Sequence, residues 1–187
     1  MKAIRLVEVG APLEIHEVPV PEPSEDEVLI RVAGCGICHT DIGFWIDGVP
    51  TKKELPLTLG HEIAGTVVEA GSRYEHLVDR PVIVPAMIPC GDCELCHRGR
   101  GNACRHQLMP GNDLDGGFAE YLAVPGRGLC HADETGPCDL AEVAVVADAV
   151  TTPYQAIVRS GLTAGDLAVI VGVGGVGGYC AQIAAAF

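Results

Sequence analysis

Four cysteines lie within a short segment in the middle of the chain: Cys90, Cys93, Cys96 and Cys104. The Cys-x2-Cys steps allow successive thiolates to reach one ion, and zinc favours tetrahedral thiolate sites of this kind. Because four thiolates leave no coordination position for a substrate, the spacing predicts a structural zinc that holds a loop. The alternative is a pair of disulfides or plain buried cysteines, and disulfides are rare in the reducing cytosol.

A second set of zinc-capable side chains is spread along the sequence. Cys38 and His61 follow predicted strands next to glycines, and Asp148 ends the apolar run at residues 143–147. Burial of a carboxylate is costly unless the group is paired or binds a metal. Three protein ligands would leave the fourth position of a zinc ion open for water or substrate, as in a catalytic site. An ordinary pair of His61 with Glu62, and an exposed acid at a helix end, are the alternatives.

A glycine-rich loop follows the apolar run at residues 167–171. It has the spacing Gly-x-Gly-x-x-Gly between a predicted strand and a predicted helix, where the helix N-terminus offers amides to a pyrophosphate. The expected contacts to a dinucleotide are Gly172, Gly174, Gly175, Val176 and Gly177. The acid that would select NAD over NADP is expected about 20 residues further on. The loop therefore predicts NAD, with NADP not excluded.

Composition narrows the class of protein. The 187 residues include 12 Lys and Arg against 25 Asp and Glu, a formal charge of −13, and 48% are hydrophobic. Such acidity argues against a nucleic-acid or anionic-membrane partner, and such hydrophobicity argues against disorder. No apolar stretch reaches the length of about 18 residues that a membrane helix needs, and the N-terminus alternates like a strand rather than a signal peptide. We therefore expect a soluble, cytoplasmic protein.

The first part of the chain is β-rich. Alternating apolar positions predict strands at residues 1–7, 28–33, 64–69 and 82–84. Three prolines within residues 18–23 predict an extended connection. The Cys38 and His61 loops would each adjoin one of these strands.

The pattern changes after residue 139. Apolar residues there recur at helical spacing, and Pro153 and Gly161 are typical of the start and end of a second helix. The run at 167–171 predicts a strand buried on both faces, followed by a helix at 179–187. One strand and one helix cannot form a parallel sheet, so we expect the front part of a longer protein.

In family order, the motifs resemble those of the zinc-dependent medium-chain alcohol dehydrogenases. The resemblance includes Gly60-His61-Glu62-x2-Gly65-x5-Gly71, the four-cysteine loop, Gly116-Gly117-Phe118-Ala119-Glu120-Tyr121 and the glycine loop. It implies a mixed β and α/β fold, with a GroES-like, partly open β-barrel catalytic domain at 1–150. Residues 151–187 would form a linking helix and the first strand–turn–helix of a Rossmann NAD(P)-binding domain, incomplete and therefore inactive alone.

The resemblance also implies roles for individual residues. Cys38, His61 and Asp148 match the ligands of a catalytic zinc, with Asp148 where many members have cysteine. With the four-cysteine site, this implies two zinc ions per chain. The other implied roles are an acid beside the zinc at Glu62, a proton-passing hydroxyl at Thr40, a pyrophosphate contact at His39 and a nicotinamide contact at Thr152.

One position departs from the family. Gly43 stands where many members place a histidine that continues the proton relay. The proton must then leave by water, by the cofactor ribose or by another base. Closer still, the stretches 48–51, 110–113 and 147–154 resemble the 6-hydroxycyclohex-1-ene-1-carbonyl-CoA dehydrogenases. Ordinary loop similarity within a large family is the alternative explanation.

The implied activity is hydride transfer between a secondary or alicyclic alcohol and NAD(P), with a small alcohol or ketone, or a CoA thioester, as the substrate partner. A homodimer or homotetramer is expected from the family. Three alternatives stay open: a general dehydrogenase for simple alcohols, a non-catalytic zinc-stabilised fragment or interaction module, and a thiol-redox protein that uses Cys35 and Cys38.

Overall fold

The computed structural model describes all residues, 1–187. A small antiparallel sheet contains the N-terminus: β1 (Lys2–Leu6) lies between β2 (Glu14–Glu17) and β4 (Leu57–Thr58). The strand predicted for residues 1–7 is confirmed as β1, and its two buried residues, Ala3 and Leu6, lie on opposite faces because they are three positions apart.

A larger antiparallel sheet carries most of the core. Its strands are β3 (Glu27–Gly36), β5 (Glu62–Ala70), β6 (Pro81–Val84), β7 (Tyr121–Pro125) and β8 (Cys130–His131), in the spatial order β7-β3-β5-β6-β8. Fully buried Val28, Ile30, Ile63 and Val67 from its two longest strands pack with apolar residues of β6 and β7. An isolated bridge between the backbones of Ala3 and Ala119 connects β1 to the segment just before β7.

The helices are short and lie between or after the strands. They are α1 (His39–Trp45), α2 (Glu94–His97), α3 (Thr151–Ser160) and α4 (Gly175–Ala186), with 3-10 helices at Glu75–Leu77, Gly101–Ala103 and Glu142–Ala147. The predicted helix end at Gly161 is confirmed, because this residue caps α3 with a φ of 72° that favours glycine. None of these helices has the length and hydropathy needed to cross a bilayer.

The prediction of a buried strand at 167–171 is wrong for this chain. Leu167, Val169 and Val171 are 89%, 78% and 95% exposed, and no other segment forms a ladder with them. A strand of a parallel sheet needs a neighbouring strand for its hydrogen bonds and a layer on each face for burial. The helical spacing after residue 139 forms a six-residue 3-10 helix, and α4 begins earlier than the predicted residue 179.

Close approach of β3 and β5 makes Gly65 a stability test. A Cβ at Gly65 would lie 2.3 Å from the backbone carbonyl oxygen of Arg31. Gly65→Ala should therefore lower the free energy of unfolding by about 1–3 kcal/mol, measured by urea unfolding followed by circular dichroism. Gly43→Ala is the matched control, because its Cβ would meet only Val49 at 3.6 Å and alanine favours α1. Equal stability of the two variants would contradict the packing described for β3 and β5.

Candidate metal centre

Two connections at one end of the larger sheet hold the first candidate ligands. Cys38 directly precedes α1, and His61 directly precedes β5. Because Gly36 at the end of β3 pairs with Glu62 at the start of β5, both ligand connections lie at the same end of the sheet. The third candidate ligand, Asp148, follows the 3-10 helix Glu142–Ala147.

These three side chains converge. The Oδ2 atom of Asp148 lies 3.7 Å from the Sγ of Cys38 and 3.4 Å from the Nε2 of His61. One donor atom from each residue lies within 4.8 Å of the other two. A thiol, an imidazole and a carboxylate at these separations form a donor set that zinc accepts.

The imidazole of His61 shows that the cluster fits a cation. Its ring is 1% exposed, and neither nitrogen has a hydrogen-bond partner of good geometry. Burial lowers the pKa of His61, but the nearby carboxylates of Asp148 and Asp41 outweigh burial and raise this pKa to about 10. A positive charge is therefore favoured at this point, and a metal ion would displace the proton.

Asp41 is the residue of this centre that the sequence did not single out for a role. Its carboxylate is buried at 3% exposure, with Oδ1 3.3 Å from the Nδ1 of His61. The same Oδ1 accepts the amide of Gly60 at 3.1 Å, and Oδ2 accepts the amide of Cys38 at 2.9 Å. One carboxylate thus ties both connections together and lies beside the Nδ1 atom of the histidine. One sequence signal could have indicated this role: an acid three residues after Cys38, which is the spacing of a capping box at the start of a helix.

Glu62 lies behind the cluster rather than in it. Its carboxylate is buried, and Oε1 accepts the amide of Ala149 at 3.1 Å. A Cβ at Gly36 would lie 2.0 Å from Oε2, so glycine at that position leaves room for the acid. Burial, and then the charge of Asp148, raise the pKa of Glu62 above its ordinary value.

Three predicted site residues lie at the exposed side of the cluster. The Oγ1 of Thr40 is 3.6 Å from the Sγ of Cys38, and the hydroxyl of Thr152 donates to Oδ1 of Asp148. His39 is the first residue of α1 and is exposed. No hydrogen bond or ion pair connects His39 to the ligands.

The glycine loop lies at the start of α4. Gly172 has a φ of 90°, and a Cβ at Gly177 would lie 1.9 Å from the carbonyl oxygen of Gly172. The turn therefore requires glycine at both positions. The remaining predicted contacts, Gly174, Gly175 and Val176, are exposed at the same helix start.

The four-cysteine loop forms the second cluster. Its sulfur separations are 3.5 Å for Cys90–Cys104 and Cys93–Cys96, 3.8 Å for Cys93–Cys104 and 3.9 Å for Cys90–Cys96. A tetrahedral site with Zn–S bonds of about 2.3 Å has sulfur atoms about 3.8 Å apart. All four cysteines are free, so this fold does not contain the alternative disulfides. The backbone amides of Asp92 and Cys93 lower the pKa of Cys90 to about 6, which favours the metal-binding thiolate.

Comparison with known proteins places the chain in a family. Residues 24–134 match the family model of the alcohol dehydrogenase GroES-like domain, which confirms the predicted fold class. An alcohol dehydrogenase of Geobacillus stearothermophilus is 39% identical over 188 residues, covering 100% of this chain and 55% of that protein. A D-arabinose 1-dehydrogenase (NADP(+)) of Saccharolobus solfataricus is 39% identical over 190 residues, covering 97% of this chain and 53% of that protein.

Solved structures of related proteins resemble the fold of this chain. The cobalt- and zinc-bound thermostable alcohol dehydrogenase of Pyrobaculum aerophilum superposes with a TM-score of 0.90 at 30% identity, covering 100% of this chain and 56% of that one. The chain thus spans about half the length of each relative described.

The bridging carboxylate gives a first prediction for metal binding. Asp41→Asn replaces an acceptor with an amide whose NH2 group cannot accept from the Cys38 or Gly60 amide, so zinc affinity at the three-ligand cluster should fall about 10–100-fold. Competition with a chelator measures this affinity. Asp47→Asn, the same change at an exposed position just beyond α1, should leave it unchanged. Unaltered affinity in Asp41→Asn would show that this carboxylate does not orient the ligands.

The second cluster predicts the metal content. Wild-type chain should hold two zinc ions, and Cys96→Ser should hold one, because serine at neutral pH does not supply the anionic ligand. Elemental analysis of dialysed protein measures the ratio. Cys130→Ser changes an exposed cysteine outside both clusters and should retain two ions. Two ions in Cys96→Ser would refute the four-thiolate site.

Proposed function

The chain belongs to the zinc-type medium-chain alcohol dehydrogenases, and on that premise we propose that it forms the catalytic domain (1–150) and the first part of the cofactor domain (151–187) of a zinc- and NAD(P)-dependent alcohol dehydrogenase. The observation that carries the proposal is the contrast between two clusters. One offers four thiols, whereas Cys38, His61 and Asp148 offer three donors with Thr40 and Thr152 at their exposed side. A three-ligand site keeps a position for substrate.

The bound groups and the chain divide the chemistry between them. Zinc held by Cys38, His61 and Asp148 would supply Lewis-acid activation of an alcohol or carbonyl oxygen, and the nicotinamide would supply the hydride acceptor or donor. The chain must bind both partners, orient them and remove one proton.

Thr40 is the proposed first proton acceptor. Its hydroxyl is exposed and lies beside the Cys38 thiol, so a substrate hydroxyl at the open side of the cluster can donate to Oγ1 of Thr40. Gly43, one turn further along α1, offers no side chain to continue the transfer. The proton therefore continues through water or the cofactor ribose.

Glu62, His39 and the glycine loop take supporting roles in this proposal. The buried carboxylate of Glu62 holds the backbone beside Asp148 through the Ala149 amide. The amides at the start of α4 would receive the pyrophosphate, where the positive end of the helix dipole favours an anion. His39 would add a further contact to this group.

The proposed substrate class takes account of the two lysines at positions 52 and 53. Lys52 pairs with Asp113 at 2.7 Å, and Lys53 pairs with Asp115, so a phosphate would have to compete with a carboxylate for each ammonium. This pairing favours a small uncharged secondary or alicyclic alcohol over the hydroxyacyl-CoA ester that the local resemblance indicates. The CoA ester is kept as the second substrate to test, together with sugar substrates such as the D-arabinose named for one relative.

A thiol-redox function fits the centre less well. Burial, followed by the negative charge of Asp41, raises the pKa of Cys35 far above its ordinary value. Because the thiolate is the reactive form, Cys35 is a poor partner for dithiol chemistry with Cys38.

A homodimer or homotetramer of the whole protein is part of the proposal on family grounds.

The activity test uses the whole protein of which this chain is part. Purified protein with two zinc ions should reduce NAD or NADP when given secondary alcohols. Thr40→Val should lower kcat about 10²–10⁴-fold, because the isosteric side chain cannot accept the proton. Thr40→Ser should keep most of the rate. Two bound zinc ions without turnover of any simple alcohol, sugar or alicyclic hydroxyacyl-CoA ester would instead support a zinc-stabilised interaction module.

A further inference from the structure

The two oxygens of the Asp148 carboxylate have different surroundings. Oδ2 faces the other candidate ligands, at 3.7 Å from the Cys38 thiol and 3.4 Å from the His61 ring. Oδ1 accepts a hydrogen bond from the hydroxyl of Thr152. One oxygen is thus available to a cation, and the other is engaged by a neutral donor.

Thr152 is fixed in this position by its helix. It is the second residue of α3, and its amide donates to the backbone carbonyl of Asp148 at 2.8 Å. The next residue, Pro153, is buried and anchors the first turn together with Ile157 further along. The hydroxyl therefore acts from a rigid support, one turn after the carboxylate that it contacts.

This contact matters because the ligand is a carboxylate. A thiolate presents one donor atom, whereas a carboxylate presents two oxygens that can both bind one metal ion. If both oxygens of Asp148 bound zinc, the second would compete for the position that a substrate needs. A cysteine at this position would present one sulfur and no second donor atom that needs to be restrained.

We propose that Thr152 is a positioning residue that holds Asp148 in single-oxygen coordination and so keeps the fourth zinc position open. The inference rests on the proposed function, because it presupposes that the three-ligand cluster binds zinc. It assigns the hydroxyl of Thr152 to the metal centre and leaves the methyl group free to contact a nicotinamide. The contact thereby compensates for an aspartate in a place where many family members have cysteine.

Cobalt substitution tests the proposal without measuring activity. Four-coordinate Co²⁺ absorbs visible light more strongly than five-coordinate Co²⁺, and the contribution of the four-cysteine site is subtracted with a His61→Ala chain. Thr152→Val should weaken the remaining bands, because the second oxygen of Asp148 could then join the coordination of the metal. Thr152→Ser should restore them. Thr151→Val is the matched control, because that neighbouring hydroxyl donates to the carbonyl of Ala147 at 3.1 Å and not to the carboxylate.

A double-mutant cycle separates this role from a general structural one. In an Asp148→Cys chain, Thr152→Val should leave the cobalt spectrum unchanged, because the thiolate has no second oxygen. An equal loss in both backgrounds would overturn the proposal, as would an unchanged spectrum in the single variant Thr152→Val. If wild-type chain bound no metal at the three-ligand cluster, the proposed function itself would fail, which elemental analysis shows separately.

Discussion

The antiparallel pairing of β3 with β5 is the constraint on which the metal centre depends. Their ladder runs from Val28 opposite Ala70 to Gly36 opposite Glu62. The ligand-bearing connections therefore emerge side by side, one from the end of β3 and one before the start of β5. This ladder contains two register shifts, one between Leu29 and Ile30 and one between Val32 and Gly34. Irregularities of this kind bend a strand locally. A slip of one residue would send His61 to the opposite face of the sheet.

Electrostatic balance at the sheet end follows from this arrangement. Two aspartates and one glutamate lie around a single buried imidazole, with the Cys38 thiol beside them. Such a concentration of carboxylates in a buried place is unfavourable without a compensating cation. Protonation of His61 would supply one positive charge, and a divalent ion would supply two. The same carboxylates that favour a proton on the ring thus favour its replacement by metal.

The candidate ligands were easier to predict from the sequence than the residues that support them. Cys90 and its three partners were predicted from spacing alone, because a tetrahedral site imposes local distances on the chain. Asp148 was recognisable as an acid in an apolar context. The contact of Asp41 with the Cys38 amide follows the spacing of a capping box. The contacts of Asp41 with Gly60 and His61, and the contact of Thr152 with Asp148, were not predictable, because they depend on the three-dimensional orientation of individual oxygen atoms. A resemblance supplied a role for Thr152 at the nicotinamide but gave no information about its hydroxyl.

Secondary structure was predictable where the pattern reflects a local rule. Strand β2 was missed because its residues are largely exposed and apolar and polar residues alternate only weakly along it. Strand β7 was missed because its residues form a nearly continuous apolar run without alternation. At 167–171 the error was the opposite one, because a strand was predicted that the structure does not form. An apolar composition indicates that a segment needs burial, but it does not show whether neighbouring strands and covering layers are present. Helix α3 was predicted well because Pro153 and Gly161 mark its limits through backbone geometry.

The four-cysteine loop differs from the sheets in the source of its order. Between Cys90 and Cys104 the chain forms only a four-residue helix and a three-residue 3-10 helix, and Cys104 is its one buried residue. So little apolar burial cannot offset the conformational entropy of about fifteen ordered residues. The conformation of the four-cysteine loop would therefore depend on the zinc concentration around the protein, whereas the sheets are stabilised by the burial of apolar side chains away from water.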